Sequence, residues 1–149
     1  MSNSNHNEYG GYFLEDLEVG MTAIFSKTIS ESDIYLFAGL SGDTNPAHLN
    51  EEFASQTRFK GRIAHGLISA GFISAVLGTK LPGPGTIWVN QTLKFKAPVH
   101  IGATVVARVT IKEIIAERQR AFLDTICSVA DKIVLEGEAE IWVPRRPVS

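Results

Sequence analysis

The stretch Leu67 to Leu77 constrains the fold more than any other. Leu67, Ile68, Phe72, Ile73, Val76 and Leu77 mix there with Gly66, Ala70, Gly71 and Ala75, so a helix over His65 to Gly78 has almost no polar face. A helix that is apolar nearly all round has to be covered on nearly every side. Its glycines lower intrinsic helix propensity, so tertiary packing has to hold it. The stretch is too short, and too interrupted by Gly and Ser, to span a bilayer. Leu81-Pro82-Gly83-Pro84-Gly85 then breaks the chain sharply.

What covers that helix follows in the sequence. Thr86 to Lys96 alternates, with Leu93, Phe95 and Ala97 set against Thr92, Lys94 and Lys96. Thr104 to Ile115 alternates more cleanly, with Val105, Ala107, Val109 and Ile111 on one face. Gln119 to Val129 and Lys132 to Val143 follow after short polar turns, which predicts an antiparallel meander. Thr22 to Ile29 reads as a first strand. The expected class is α+β: a long antiparallel sheet wrapped around one buried helix. A single domain over residues 12–149 is expected, after a mobile tail over residues 1–11.

The 149 residues are enough to bury a real core. A net charge of -2 gives no electrostatic reason to expect nucleic acid or an anionic membrane as partner. Cys127 is the only cysteine, so no intrachain disulfide is possible and a reducing, cytoplasmic setting is expected.

Between the first strand and the apolar helix lies the most chemically loaded segment, Ser41-Gly42-Asp43-Thr44-Asn45-Pro46-Ala47-His48. Ser30 is a candidate cap for a short helix packed through Ile34, Phe37, Ala38 and Leu40, and Gly42 ends it. Asn45-Pro46 then predicts a turn or extended chain rather than a regular helix. A rigid turn carrying Asp43 and His48 together suits general acid–base chemistry, because both groups can reach one water. The same residue types also make ordinary surface turns. Asn50 is placed to cap a further short helix. Downstream, Arg58, Lys60 and Arg62 form either a solvated basic loop or a contact for substrate phosphates.

The run Phe37 to His48, continuing through Arg62-Ile63-Ala64-His65-Gly66 and the later strands, resembles the (R)-specific enoyl-CoA hydratases of the MaoC-like group. Ala47 stands where that group usually carries a larger aliphatic residue. The resemblance implies a hot-dog fold, an acyl-CoA thioester as substrate, no cofactor, and at least a homodimer. It also implies that Asp43 and His48 are catalytic, without settling which one activates water. Gly66 is the implied oxyanion donor, at a helix start where N–H groups are free. Its other reading is a glycine easing helix–sheet contact. Asn45 either orients the water or closes the turn. Ser74 resembles a serine that orients the catalytic aspartate, and reads equally as a hydroxyl bonded to its own helix.

Three other readings compete. Asp43, His48 and His65 also form a carboxylate and two imidazoles, the ligand set of some non-haem iron sites. A dehydratase acting on acyl-carrier-protein thioesters would use the same pair. A protein that only binds acyl thioesters would need neither Asp43 nor His48.

Overall fold

Six strands form one antiparallel sheet in the computed structural model, which describes residues 6–148. They are β1 (Thr22–Thr28), β2 (Ile87–Gln91), β3 (Lys94–Phe95), β4 (Thr104–Ile115), β5 (Arg120–Val129) and β6 (Lys132–Trp142). The order across the sheet is β1-β4-β5-β6-β2, with β3 also paired to β6. The expected meander is therefore its centre, and the two earlier strands flank it. Period-two patterning turns Val105, Ala107, Val109 and Ile111 inward, where all four are fully buried.

Four helices precede the second strand: α1 (Glu31–Ser41), α2 (Pro46–Leu49), α3 (Glu51–Ser55) and α4 (Gly66–Thr79). The apolar helix is α4, and it packs across β4, β1, β5 and β6. Ile73 and Val76 are completely buried against the sheet, each stabilising the fold by about 1.5–3 kcal/mol through lost apolar exposure. The covering is incomplete, however. Leu67, Gly71, Ser74 and Gly78, one stripe at helical spacing, stay exposed in this chain. No described helix is long and apolar enough to cross a membrane.

Three expectations are revised. The strand expected over Thr86 to Lys96 is two pieces, because Thr92 leaves the ladder where it crosses Gly137. A Cβ on Gly137 would lie 1.8 Å from the Thr92 carbonyl oxygen, so only glycine permits this approach. Phe95 consequently stands 54% exposed rather than in the core. Second, Asn45-Pro46 starts a helical turn: Asn45 caps α2 by accepting from the Ala47 N–H, and Pro46 occupies its first position. Proline suits that position because its missing N–H has no intrahelical acceptor there. Third, part of the expected tail is anchored. Residues 1–5 lie outside the described residues, but Asn7 Nδ2 donates to the Pro84 oxygen at 2.7 Å and the Tyr12 N–H donates to the Pro82 oxygen at 2.8 Å.

The caps that place the short helices are those read from the sequence. Ser30 accepts from the Asp33 N–H while the Asp33 carboxylate accepts from the Ser30 N–H, a reciprocal capping box. Asn50 caps α3 by a single bond, accepting from the Phe53 N–H. The Lys27 ammonium bonded to Asp33 holds that carboxyl below its ordinary value of 3.8. The stability linked to Asp33 is therefore fully present above that pH and is lost as pH falls through the lowered value. Ser30→Ala should cost about 1 kcal/mol and lower the unfolding midpoint by about 3 °C, measured calorimetrically at pH 7. An unchanged midpoint would remove the box from the account of α1.

Candidate active site

A chain of short-range bonds builds the turn after α1. The Ser41 hydroxyl donates to the Phe37 carbonyl at 2.7 Å and accepts from the Asp43 N–H at 3.1 Å. Asp43 Oδ1 accepts from the Asn45 N–H at 3.2 Å, and the Asn45 carbonyl accepts from the His48 N–H at 2.9 Å. Asn45 thus acts as a cap and turn-closer for the helix that carries His48.

The segment 61–65 then lies across this turn. His48 Nδ1 is 2.7 Å from the Ile63 carbonyl oxygen, and the Ile63 N–H returns a bond to the Ala47 oxygen at 3.2 Å. A carbonyl can only accept, so Nδ1 carries the hydrogen. In the neutral ring, Nε2 is then the lone-pair nitrogen. His65 Nε2 likewise donates to the Asp43 carbonyl oxygen at 2.9 Å. The His65 ring is 3% exposed and lies between Phe37 and His48, with centroids 4.7 Å and 3.9 Å away.

Asp43, His48 and Gly66 meet at one cavity of about 210 Å³, walled also by Phe37, His65 and Phe95. Gly66 is the first residue of α4, so its N–H is one of the donors a helix start leaves without an intrahelical acceptor. The Phe95 ring covers it closely: a Cβ on Gly66 would lie 2.5 Å from Phe95 Cε1. A second cavity, of about 350 Å³, shares His48, Gly66 and Phe95 with the first and continues along Ala64, Val134 and Leu135. Phe95 is thus a wall common to both. Sequence alternation pointed it inward with Leu93, and only the break at Thr92 shows otherwise.

The remaining candidates divide. Arg58 is exposed and lines the larger cavity, and Lys60 is exposed nearby with φ 59°. Arg62 is turned inward: its guanidinium bonds the His48 carbonyl and Glu31. The expected support of Asp43 by Ser74 is not seen. Ser74 is exposed on α4, lines neither cavity, and no hydrogen bond among the described residues joins it to Asp43.

The MaoC-like domain family matches residues 16–134, which include the turn, α4 and most of the sheet. The chain belongs to the MaoC-like domain family. This MaoC-like chain is 62% identical over 135 residues to the (R)-specific enoyl-CoA hydratase of Rhodospirillum rubrum, covering 91% of this chain and 94% of that one. It is 56% identical over 134 residues to the 3-hydroxybutyryl-CoA dehydratase of Methylorubrum extorquens, covering 90% of this chain and 85% of that protein. Among solved structures, the (R)-hydratase from A. caviae involved in PHA biosynthesis superposes with a TM-score of 0.84 at 38% identity. That match covers 86% of this chain and 98% of the other. The hot-dog architecture is thereby shared with the (R)-hydratases.

The ligand set Asp43, His48 and His65 is also assembled, with one donor atom of each within 4.8 Å of the others. His65 Nε2 is committed as a donor to the Asp43 carbonyl, and His65 Nδ1 is buried with no hydrogen-bond partner among the described residues. A metal takes an unprotonated ring nitrogen, and with Nε2 donating to Asp43 that nitrogen of the neutral His65 ring is Nδ1. Exhaustive chelation is expected to leave catalysis by this MaoC-like chain unchanged. Loss on chelation, reversed by iron or zinc, would make the triad a metal site.

Proposed function

We propose that the chain is an (R)-specific enoyl-CoA hydratase, adding water reversibly to a trans-2-enoyl-CoA to give a (3R)-3-hydroxyacyl-CoA. The observation that carries this reading is a pair of open proton acceptors on one cavity, the Asp43 carboxylate and His48 Nε2, beside the Gly66 N–H. The names of the two relatives above support the thioester class and the stereochemistry.

The tautomer of His48 supports one division of roles. A water held between Asp43 and His48 gives one proton to Nε2 as its oxygen bonds to the β-carbon. The Cα–Cβ electron pair moves toward the thioester, and the Gly66 N–H donates a hydrogen bond to the thioester oxygen as charge develops there. The imidazolium then returns its proton to the α-carbon. Because one side chain removes and delivers the proton, hydrogen and hydroxyl arrive on the same face. Asp43 accepts the other hydrogen of the water and offsets the imidazolium charge, so it orients rather than abstracts. Arg58 and Lys60 remain the basic groups proposed for the nucleotide phosphates.

The reading includes a second copy of the chain. β2 is an edge of the sheet with Ile87, Trp88 and Val89 exposed in sequence, and the open stripe of α4 is likewise apolar or small. A long apolar sheet edge favours pairing with another strand. Sedimentation should give at least a dimer, and Trp88→Asp with Val89→Asp should shift it to monomer. A wild-type monomer would contradict this part.

Loss of the enoyl-thioester absorbance, followed with short- and medium-chain CoA substrates, tests the activity itself. Preference for an acyl-carrier-protein thioester would move the carrier, and binding without turnover would overturn the reading. Asp43→Asn and His48→Gln should each lower turnover by about 10²–10⁴-fold with the unfolding midpoint retained. Gly66→Ala should lower it by about 10²-fold, and removing the crowding with a second change, Phe95→Ala, should not restore it. Recovery in that double variant would mean that the clash with the ring, not a methyl group holding the thioester oxygen away from the N–H, caused the defect.

A further inference from the structure

Among the described residues, Arg62 is a largely buried cation beside the proposed catalytic turn whose role the reaction scheme leaves unused. Its side chain is 9% exposed, although it sits in a loop of polar sequence. Nε donates to the His48 carbonyl oxygen at 2.7 Å, and Nη1 donates to Glu31 Oε1 at 2.6 Å. The guanidinium carbon lies 5.4 Å from the centroid of the Tyr35 ring. The Arg62 N–H donates to Glu51 Oε2 at 3.1 Å. One residue therefore ties together α1, the end of α2 and the start of α3.

We propose that Arg62 is a positioning residue for His48, fixing the main chain of the catalytic histidine from behind while Ile63 fixes its ring. The inference rests on the assignment of His48 as the proton-transferring group. Two bonds converge on that one residue from adjacent positions: the Arg62 guanidinium on its carbonyl, and the Ile63 carbonyl on its Nδ1. The first sets where the helical turn sits and the second sets which way the ring faces. Arginine suits the position because its planar fork reaches two acceptors in fixed geometry, whereas a lysine ammonium is a single point.

Burial of this cation is not explained by stability alone. Nη2 is buried without a hydrogen-bond partner among the described residues, and a buried charge with an unpaired donor is costly compared with an apolar side chain of similar volume. Glu31 responds to the pairing: the Arg62 hydrogen bond, then that of Tyr35, holds its carboxyl below the usual range. The Glu31 end of the contact is exposed and the His48 end is not, so the clamp is anchored at the surface and acts inward.

The test compares Arg62→Lys with wild type on two short-chain enoyl thioesters, one carried by CoA and one by pantetheine, which lacks the nucleotide phosphates. A positioning role predicts that kcat falls at least tenfold with both carriers while KM changes less than twofold. Guanidinium added to Arg62→Ala should restore part of that turnover. A KM increase seen only with the CoA thioester would overturn the proposal and make Arg62 a phosphate contact; unchanged kinetics would also overturn it. Should either variant fail to fold, Glu31→Gln weakens the same clamp from its exposed end and should lower kcat at constant KM, failing which the proposal falls. Inactive wild type would instead reject the hydratase reading.

Discussion

The 2.7 Å bond from His48 Nδ1 to the Ile63 carbonyl is the interaction on which the site depends. It makes Nδ1 the protonated nitrogen, leaves the lone pair on Nε2, and turns the ring toward the cavity that Asp43 and Gly66 share. Without it the imidazole would be free to swap tautomers, and either nitrogen would face the cavity. The bond works only because the segment 61–65 is itself fixed. The Ala64 N–H donates to the Val99 oxygen at 2.7 Å, the Arg62 N–H to Glu51, and His65 to the Asp43 carbonyl. A run of five residues thus holds both members of the proposed acid–base pair, and the segment between β3 and β4 holds that run through Val99.

The fold supplies the third component. Because α4 begins at Gly66, directly after this run, the free donors of its first turn sit beside the two side chains. The buried face of α4 against β4 and β5 fixes the helix rigidly, which sets the position of Gly66 more tightly than a loop would. Placement of an oxyanion donor matters at the scale of tenths of an ångström, so in the proposed mechanism core packing and catalysis are coupled through this one helix.

Elements governed by local patterning were legible in the sequence. The alternation at Val105, Ala107, Val109 and Ile111 placed β4, and Ser30, Gly42 and Asn50 marked helix ends because each cap is a local hydrogen-bonding problem. The meeting of Asp43, His48 and Gly66 was legible through the resemblance rather than through spacing. What sequence left out depends on distant partners. The break at Thr92 requires Gly137, 45 positions on. Arg62 read as a solvated or phosphate-binding residue because its partners, His48 and Glu31, lie 14 and 31 positions away. The exposed stripe of Leu67, Gly71, Ser74 and Gly78 was invisible for a different reason: composition says that a helix wants covering, not which face this chain leaves open.

The tautomer of His48 tests the account most directly, and it can be read without substrate. Nitrogen-15 spectra of the imidazole side chains, recorded on wild type against His48→Gln to assign the signal, distinguish a protonated from a lone-pair nitrogen. The neutral His48 ring is expected to carry hydrogen on Nδ1 and a lone pair on Nε2, unchanged in Asp43→Asn. A ring with hydrogen on Nε2, or two tautomers in exchange, would contradict it, because the base would then not face the water it has to activate.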